Sequence, residues 1–124
     1  MTYRPHLLPK VRSAGIREAA DGMPCTLRIA SFVPGLTCSG AENTVGCHLP
    51  VMGKGVGTKV TDMAIVFGCH VCHDILDGRN AEAHRFILEN YPTAMTARML
   101  EALIETHALL IDMEAVLVPD GEFV

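Results

Sequence analysis

The stretch Cys69-His70-Val71-Cys72-His73-Asp74-Ile75-Leu76-Asp77 places two thiols, two imidazoles and two carboxylates within nine residues, and its reading decides the fold. Cys69 and Cys72 have the C-x-x-C spacing at which a turn aims both sulfurs at one tetrahedral zinc, about 2.3 Å from each. His73 follows immediately. A residue directly after the second cysteine starts a new helical turn, so His73 points away from the zinc and shares a face with Asp77, one turn further on. One short segment can thereby serve two sites; the plainer alternative for His73 is a helix-capping imidazole. Zinc is favoured over a disulfide because the polar N-terminus, with Arg4, Lys10, Arg12 and Arg17, lacks a signal-peptide core.

Upstream of this stretch, Met63-Ala64-Ile65-Val66-Phe67 is an apolar run with the character of a buried strand, entering Gly68. Before it lies a glycine-rich, basic loop from Pro50 to Thr61 carrying Lys54 and Lys59 and closed by Asp62. The loop lacks the G-x-x-x-x-G-K-[ST] spacing of a phosphate-cradling P-loop, which removes an NTPase. Thr44 to Leu49 is β-prone, with His48 near its end. Earlier still, Thr26-Leu27-Arg28-Ile29-Ala30 alternates like a strand, and Pro34-Gly35 signals a turn that delivers Cys38. Such a strand between Cys25 and Cys38 can fold back so that both thiols converge on Cys69 and Cys72, closing a site of four thiolates.

Ser13 to Ala20 reads as a short helix with Ser13 as its cap. Downstream, Asp74 to Asp77 is helical and ends at Gly78, and Ala81 to Tyr91 forms another helix stopped by Pro92. Thr93 then caps a longer helix in which Met95, Met99, Leu100, Leu103, Ile104, His107, Leu110 and Ile111 recur at helical spacing. That stripe reads as core, with His107 a structural histidine. Val116 to Val118 is expected to add an edge strand.

A chain of 124 residues makes one domain, of a size at which a metal staple helps. We expect an arm over residues 1–15, the domain over 16–118 and a tail over 119–124. Only six aromatics, none of them Trp, leave little for a base-stacking platform. No apolar run approaches the length of a membrane span, so a cytoplasmic location is expected, where the five cysteines stay reduced and available to metal. The net charge of −4 hides an asymmetry: residues 1–59 carry seven Lys or Arg against three acids, and residues 60–124 three against eleven. A basic front of this kind can face a phosphate backbone. The C-x-x-C lacks the βαβ context of a thioredoxin-like site, which sets a redox role aside.

In order, the middle of the chain reads strand, His48, glycine-rich loop, Asp62, strand, C-x-x-C, and His73 on a helix. This layout faces His48 and His73 across a hairpin. Two imidazoles beside acids can divide labour between general base and metal ligand, the division that phosphodiester hydrolysis needs.

From about Ile16 to Val118 these residues resemble the HNH, or ββα-metal, nucleases of treble-clef type, and more closely the small nucleases carried by lambdoid phages and bacterial prophages. The resemblance rests on Cys25-Thr26-Leu27-Arg28-Ile29, Cys38, His48-Leu49, Gly57-Thr58-Lys59 with Asp62, and Cys69 through Arg79. It implies an α+β fold: a small treble-clef core with a structural zinc, flanked by C-terminal helices and the short edge strand. Cys25, Cys38, Cys69 and Cys72 would hold the zinc, with Cys47 an alternative to Cys25 or Cys38. His48 would be the general base and His73 a ligand of a catalytic Mg²⁺ or other divalent ion. Asp62 stands where the family has an Asn that orients the base. Many members have an acidic ligand just before the first histidine, where this chain has Cys47; the ion would then lean on Asp74 or Asp77, bind weakly, or be absent. Lys54, Lys59 and Arg79 would meet the DNA backbone, and a homodimer would provide for cutting both strands. The competing expectation is a non-catalytic, zinc-stabilised module that binds DNA or a replication or recombination protein of the phage or its host.

Overall fold

A computed structural model describes residues 9–51 and 60–124; the loop positions Lys54 and Lys59, and Arg4 near the N-terminus, lie outside the described residues. The fold is α+β, with the elements α1 (Ala14–Glu18), β1 (Val45–His48), β2 (Ile65–Gly68), α2 (His70–Leu76), α3 (Ala81–Asn90) and α4 (Pro92–Asp112). Strands β1 and β2 pair antiparallel, with Val45 opposite Gly68 and His48 opposite Ile65. Every position of β2 is buried, as its unbroken apolar run requires. Helix α4 packs on β2, and α2 packs on both strands.

Local chemistry sets the helix ends. Ser13 caps α1 by accepting from the Ile16 N–H at 3.2 Å, and Asn80 caps α3 by accepting from the Ala83 N–H at 3.1 Å. Gly78, at φ 79°, lets the chain leave α2 through the left-handed region. At α4, Pro92 occupies the first turn, where its missing N–H costs nothing, so Thr93 lies inside the helix rather than capping it.

Two expected strands are absent among the described residues. Thr26 to Ala30 forms a turn instead: the Thr26 and Leu27 N–H groups both donate to the Phe67 carbonyl, and Arg28 enters the left-handed region at φ 46°. Thr26 Oγ1 also accepts from the Phe67 N–H at 3.0 Å, so one residue satisfies the outer edge of β2 at that point. Val116 to Val118 is no edge strand either. Glu114 turns left-handed at φ 61°, and the Ala115 and Val116 N–H groups both donate to the Leu110 carbonyl, which spends the donors a ladder would need.

Two buried clusters make the core. One joins Leu27, Ile29, Cys69, Cys72, Ile75, Ile87 and Ala102; the other gathers Ile16, Ile65, Phe67 and Leu110. A charged brace ties the 25–28 turn to α4: Arg28 Nη2 meets both Glu105 oxygens at 2.8 Å, Arg98 Nη2 meets Glu105 at 2.9 Å, and Arg98 donates to the Thr26 carbonyl. His107 is half-buried and its Nε2 lies 2.9 Å from the Met63 carbonyl, a structural contact. Among the described residues, no helix is long and apolar enough to cross a membrane.

Candidate metal centre and adjoining site

Cys69 and Cys72 come from the start of α2 and are buried; Cys25 opens the 25–28 turn and is half-buried; Cys38 lies beyond it and is exposed. Backbone donors converge on these sulfurs. The Arg28 N–H reaches Cys25 Sγ at 3.4 Å, the Ala30 N–H reaches Cys72 Sγ at 3.4 Å, and the Cys72 N–H reaches Cys69 Sγ at 3.5 Å. All four sulfurs lie within 4.8 Å of one another, with Cys38 and Cys72 3.7 Å apart. Four zinc–sulfur bonds of about 2.3 Å in a tetrahedron separate the sulfurs by about 3.8 Å. The cluster therefore fits a metal such as zinc, with adjustments no larger than about 1 Å.

The same crowding governs ionisation. A hydrogen bond from Cys72 pushes the Cys25 thiol down to about 5, against the burial that opposes it. Burial, then repulsion from Cys25, pushes Cys38 up to about 11, and the Cys72 thiol, which donates its hydrogen bond to Cys25, is raised as well. A divalent ion allows all four sulfurs to become thiolates. Cys47 stands outside this group, buried in the core against Gly68 of β2.

His48 closes β1, and Asp62 precedes β2 in a short 3₁₀ turn spanning Asp62–Ala64. Asp62 is fully buried. Its Oδ2 accepts from the Ser13 N–H and from Arg17 Nη1, each at 2.7 Å, while Oδ1 lies 3.0 Å from His48 Nε2 and 3.8 Å from Arg12 Nη1. Burial alone would raise the Asp62 carboxyl, but the Ser13 amide, His48 and the two guanidiniums together hold it below its ordinary value. Asp62 is thus an anion at neutral pH. An anionic acceptor at Nε2 assigns the proton to that nitrogen and the lone pair to Nδ1.

Helix α2 separates the two kinds of chemistry by face. Cys72, Ile75 and Leu76 point inward, whereas the half-buried His73 and the exposed Asp77 lie on the other side, with Nε2 to Oδ2 at 2.9 Å. His70 and Asp74 form a second pair one turn apart, at 3.4 Å. Arg79 bridges the group: its Nε lies 3.3 Å from Asp74, and its Nη2 lies 3.0 Å from Asp77 and 3.4 Å from His73 Nδ1.

The structure thus brings together the four cysteines, pairs His48 with Asp62, and pairs His73 with Asp77, while Lys54 and Lys59 lie outside the described residues. Sequence reasoning missed Arg12, Ser13 and Arg17 as partners of Asp62, contacts that span 45 residues or more and leave no local pattern. The usable signal was chemical: an acid at the edge of an apolar strand needs a donor or a cation to hold it once it is buried.

No curated protein and no solved structure matches the chain. A family model described as "Putative nuclease YbcO" matches residues 14–108, a span that begins with α1, ends within α4, and includes every group of the cysteine cluster and of the three histidine–carboxylate pairs. With most of its length covered by that match, the chain belongs to the YbcO nuclease family.

Proposed function

We propose that the protein is a metal-dependent DNA endonuclease of the HNH, ββα-metal kind, carried by a phage or prophage, with a structural zinc at Cys25, Cys38, Cys69 and Cys72. The observation that carries this reading is the buried Asp62 anion held against His48 Nε2 at 3.0 Å, on a hairpin whose next element, α2, bears His73. A histidine oriented in this way is built to accept a proton at Nδ1.

In the mechanism, His48 Nδ1 takes the proton of the attacking water, and Asp62 keeps the ring aligned and stabilises the imidazolium that results. His73 Nε2 and Asp77 Oδ2, 2.9 Å apart, would offer one nitrogen and one oxygen to a divalent ion. This mixed donor set suits Mn²⁺ or Zn²⁺ better than Mg²⁺, which prefers an all-oxygen shell. When bound, such an ion would offset the negative charge developing on the phosphate and the leaving oxygen. Lys54, Lys59 and Arg79 would meet the flanking phosphates. Arg79 must first loosen its hold on Asp74 and Asp77, and this pairing favours the second reading, a zinc-stabilised module that binds without cutting.

Nicking of supercoiled plasmid by metal-defined protein separates the two. The wild type is expected to nick with added Mn²⁺ or Mg²⁺, while His48→Ala and His73→Ala keep their zinc and lose about 10²-fold or more in rate. Zinc-loaded wild type that cuts no form of DNA or RNA would transfer the protein to the binding module.

A further inference from the structure

The buried Asp62 is surrounded by more positive charge than it can neutralise. Arg17 holds it closely at 2.7 Å, yet Arg12 also points at it from 3.8 Å, with its side chain 44% exposed. Two guanidiniums facing one carboxylate leave a net positive charge beside His48, before the exposed Lys10 is counted. The backbone around them is fixed. The Val11 N–H donates to Thr61 Oγ1 at 3.1 Å, the Asp62 N–H donates to the Val11 carbonyl at 2.8 Å, and the Ser13 N–H is held by Asp62 itself. Lys10 and Arg12 flank this pinned residue. Arg17 serves differently: Glu18 and Asp21 line a shallow depression with it and screen that side.

From this cluster we infer a phosphodiester subsite formed by Arg12 and Lys10, which takes the backbone phosphate next to the one presented to His48. The loose Arg12 contact is what such a subsite requires. A guanidinium has five N–H donors in a planar fork, and Arg12 can turn toward a bidentate phosphate while Arg17 and Ser13 keep Asp62 satisfied. The arm then positions the substrate without carrying sequence information, as backbone contacts do. The subsite rests on the nuclease reading above.

The test measures duplex binding by fluorescence anisotropy between 50 and 200 mM salt, using zinc-loaded His73→Ala protein, which leaves the Asp62 cluster intact. Each phosphate contact contributes about 0.9 to the slope of log affinity against log salt. Arg12→Ala and Lys10→Ala are each expected to weaken binding severalfold and to flatten that slope by about one contact, on any sequence. Arg12→Lys should retain the slope, and Arg85→Ala, exposed on α3, should leave it unchanged. Thermal midpoints report whether each variant stays folded, and Lys10→Ala keeps the test decisive should Arg12→Ala not fold. An unaltered slope in folded Arg12→Ala and Lys10→Ala, on a background that binds DNA, overturns the subsite and leaves the nuclease reading standing. Binding to no nucleic acid at all overturns both.

Discussion

At the scale of the residue, Asp62 is the hub that links the N-terminal segment to His48. Asp62→Asn keeps the shape and removes the charge. Its guanidinium partners are exposed enough to regain water, so the expected loss is about 1–3 kcal/mol, measured by denaturant unfolding at neutral pH. The pH dependence has a definite sign. Asp62 has a folded value below its unfolded one, so its contribution is fully present above the ordinary aspartate range and disappears as pH falls through the folded value. The acid limb of the wild-type stability curve should therefore flatten in Asp62→Asn. Some slope will persist, because Glu105 is also held low: Arg98 and Arg28 overcome the burial that would raise it. A second residue-scale prediction concerns Gly68, where an added Cβ would meet Cys47 Sγ at 2.6 Å. Gly68→Ala should cost about 1–3 kcal/mol, and most of that should return in Gly68→Ala/Cys47→Ala, with zinc content unchanged.

At the scale of the element, the shared face of His73 and Asp77 was legible because residues four apart meet on a helix, but α2 begins at His70 rather than at Asp74 as the sequence suggested, so the C-x-x-C lies at its first turn. The 25–30 segment was misread for an equally physical reason. Leu27 and Ile29 are buried and Arg28 is exposed, as the alternation implied, but Thr26 and Ala30 are buried as well, because the chain turns around the Cys25 sulfur instead of running extended. The apolar residues reported burial, and the backbone followed the sulfur. The partners of Asp62 were illegible because no periodicity connects residues 12–17 to residue 62. The turn also makes a prediction. Arg28 bears the cost of φ 46° and in return braces Glu105. Arg28→Gly and Arg28→Ala lose the same brace, but only glycine relieves the left-handed backbone. The glycine variant should be the more stable by about 1 kcal/mol in thermal or chemical unfolding.

For the whole molecule, the cysteine cluster joins the 25–28 turn, the segment bearing Cys38 and the start of α2, and it sits against the core that contains Leu27, Ile29, Ile75 and Ile87. The other core, of Ile16, Ile65, Phe67 and Leu110, anchors β2 without any cysteine. Loss of metal should therefore act unevenly. Chelation at neutral pH is expected to lower the melting temperature by at least about 10 °C, the equivalent of roughly 2 kcal/mol for a domain of this size. Hydrogen exchange should accelerate first at the Arg28, Ala30 and Cys72 amides, which donate to sulfur, and later at the paired amides of β1 and β2. Acid should mimic the chelator, since each thiolate must be deprotonated to hold metal. Position within the cluster decides what a single substitution does. Cys38 is exposed and can be replaced by water at the metal, so Cys38→Ser should weaken metal retention while the protein remains folded. Cys72 is buried, receives the Ala30 N–H and lies in the core, so Cys72→Ser should lose metal and fold together. Equal loss of structure in the two variants, read by circular dichroism beside metal content, would show that the metal organises the entire chain rather than one of its two cores.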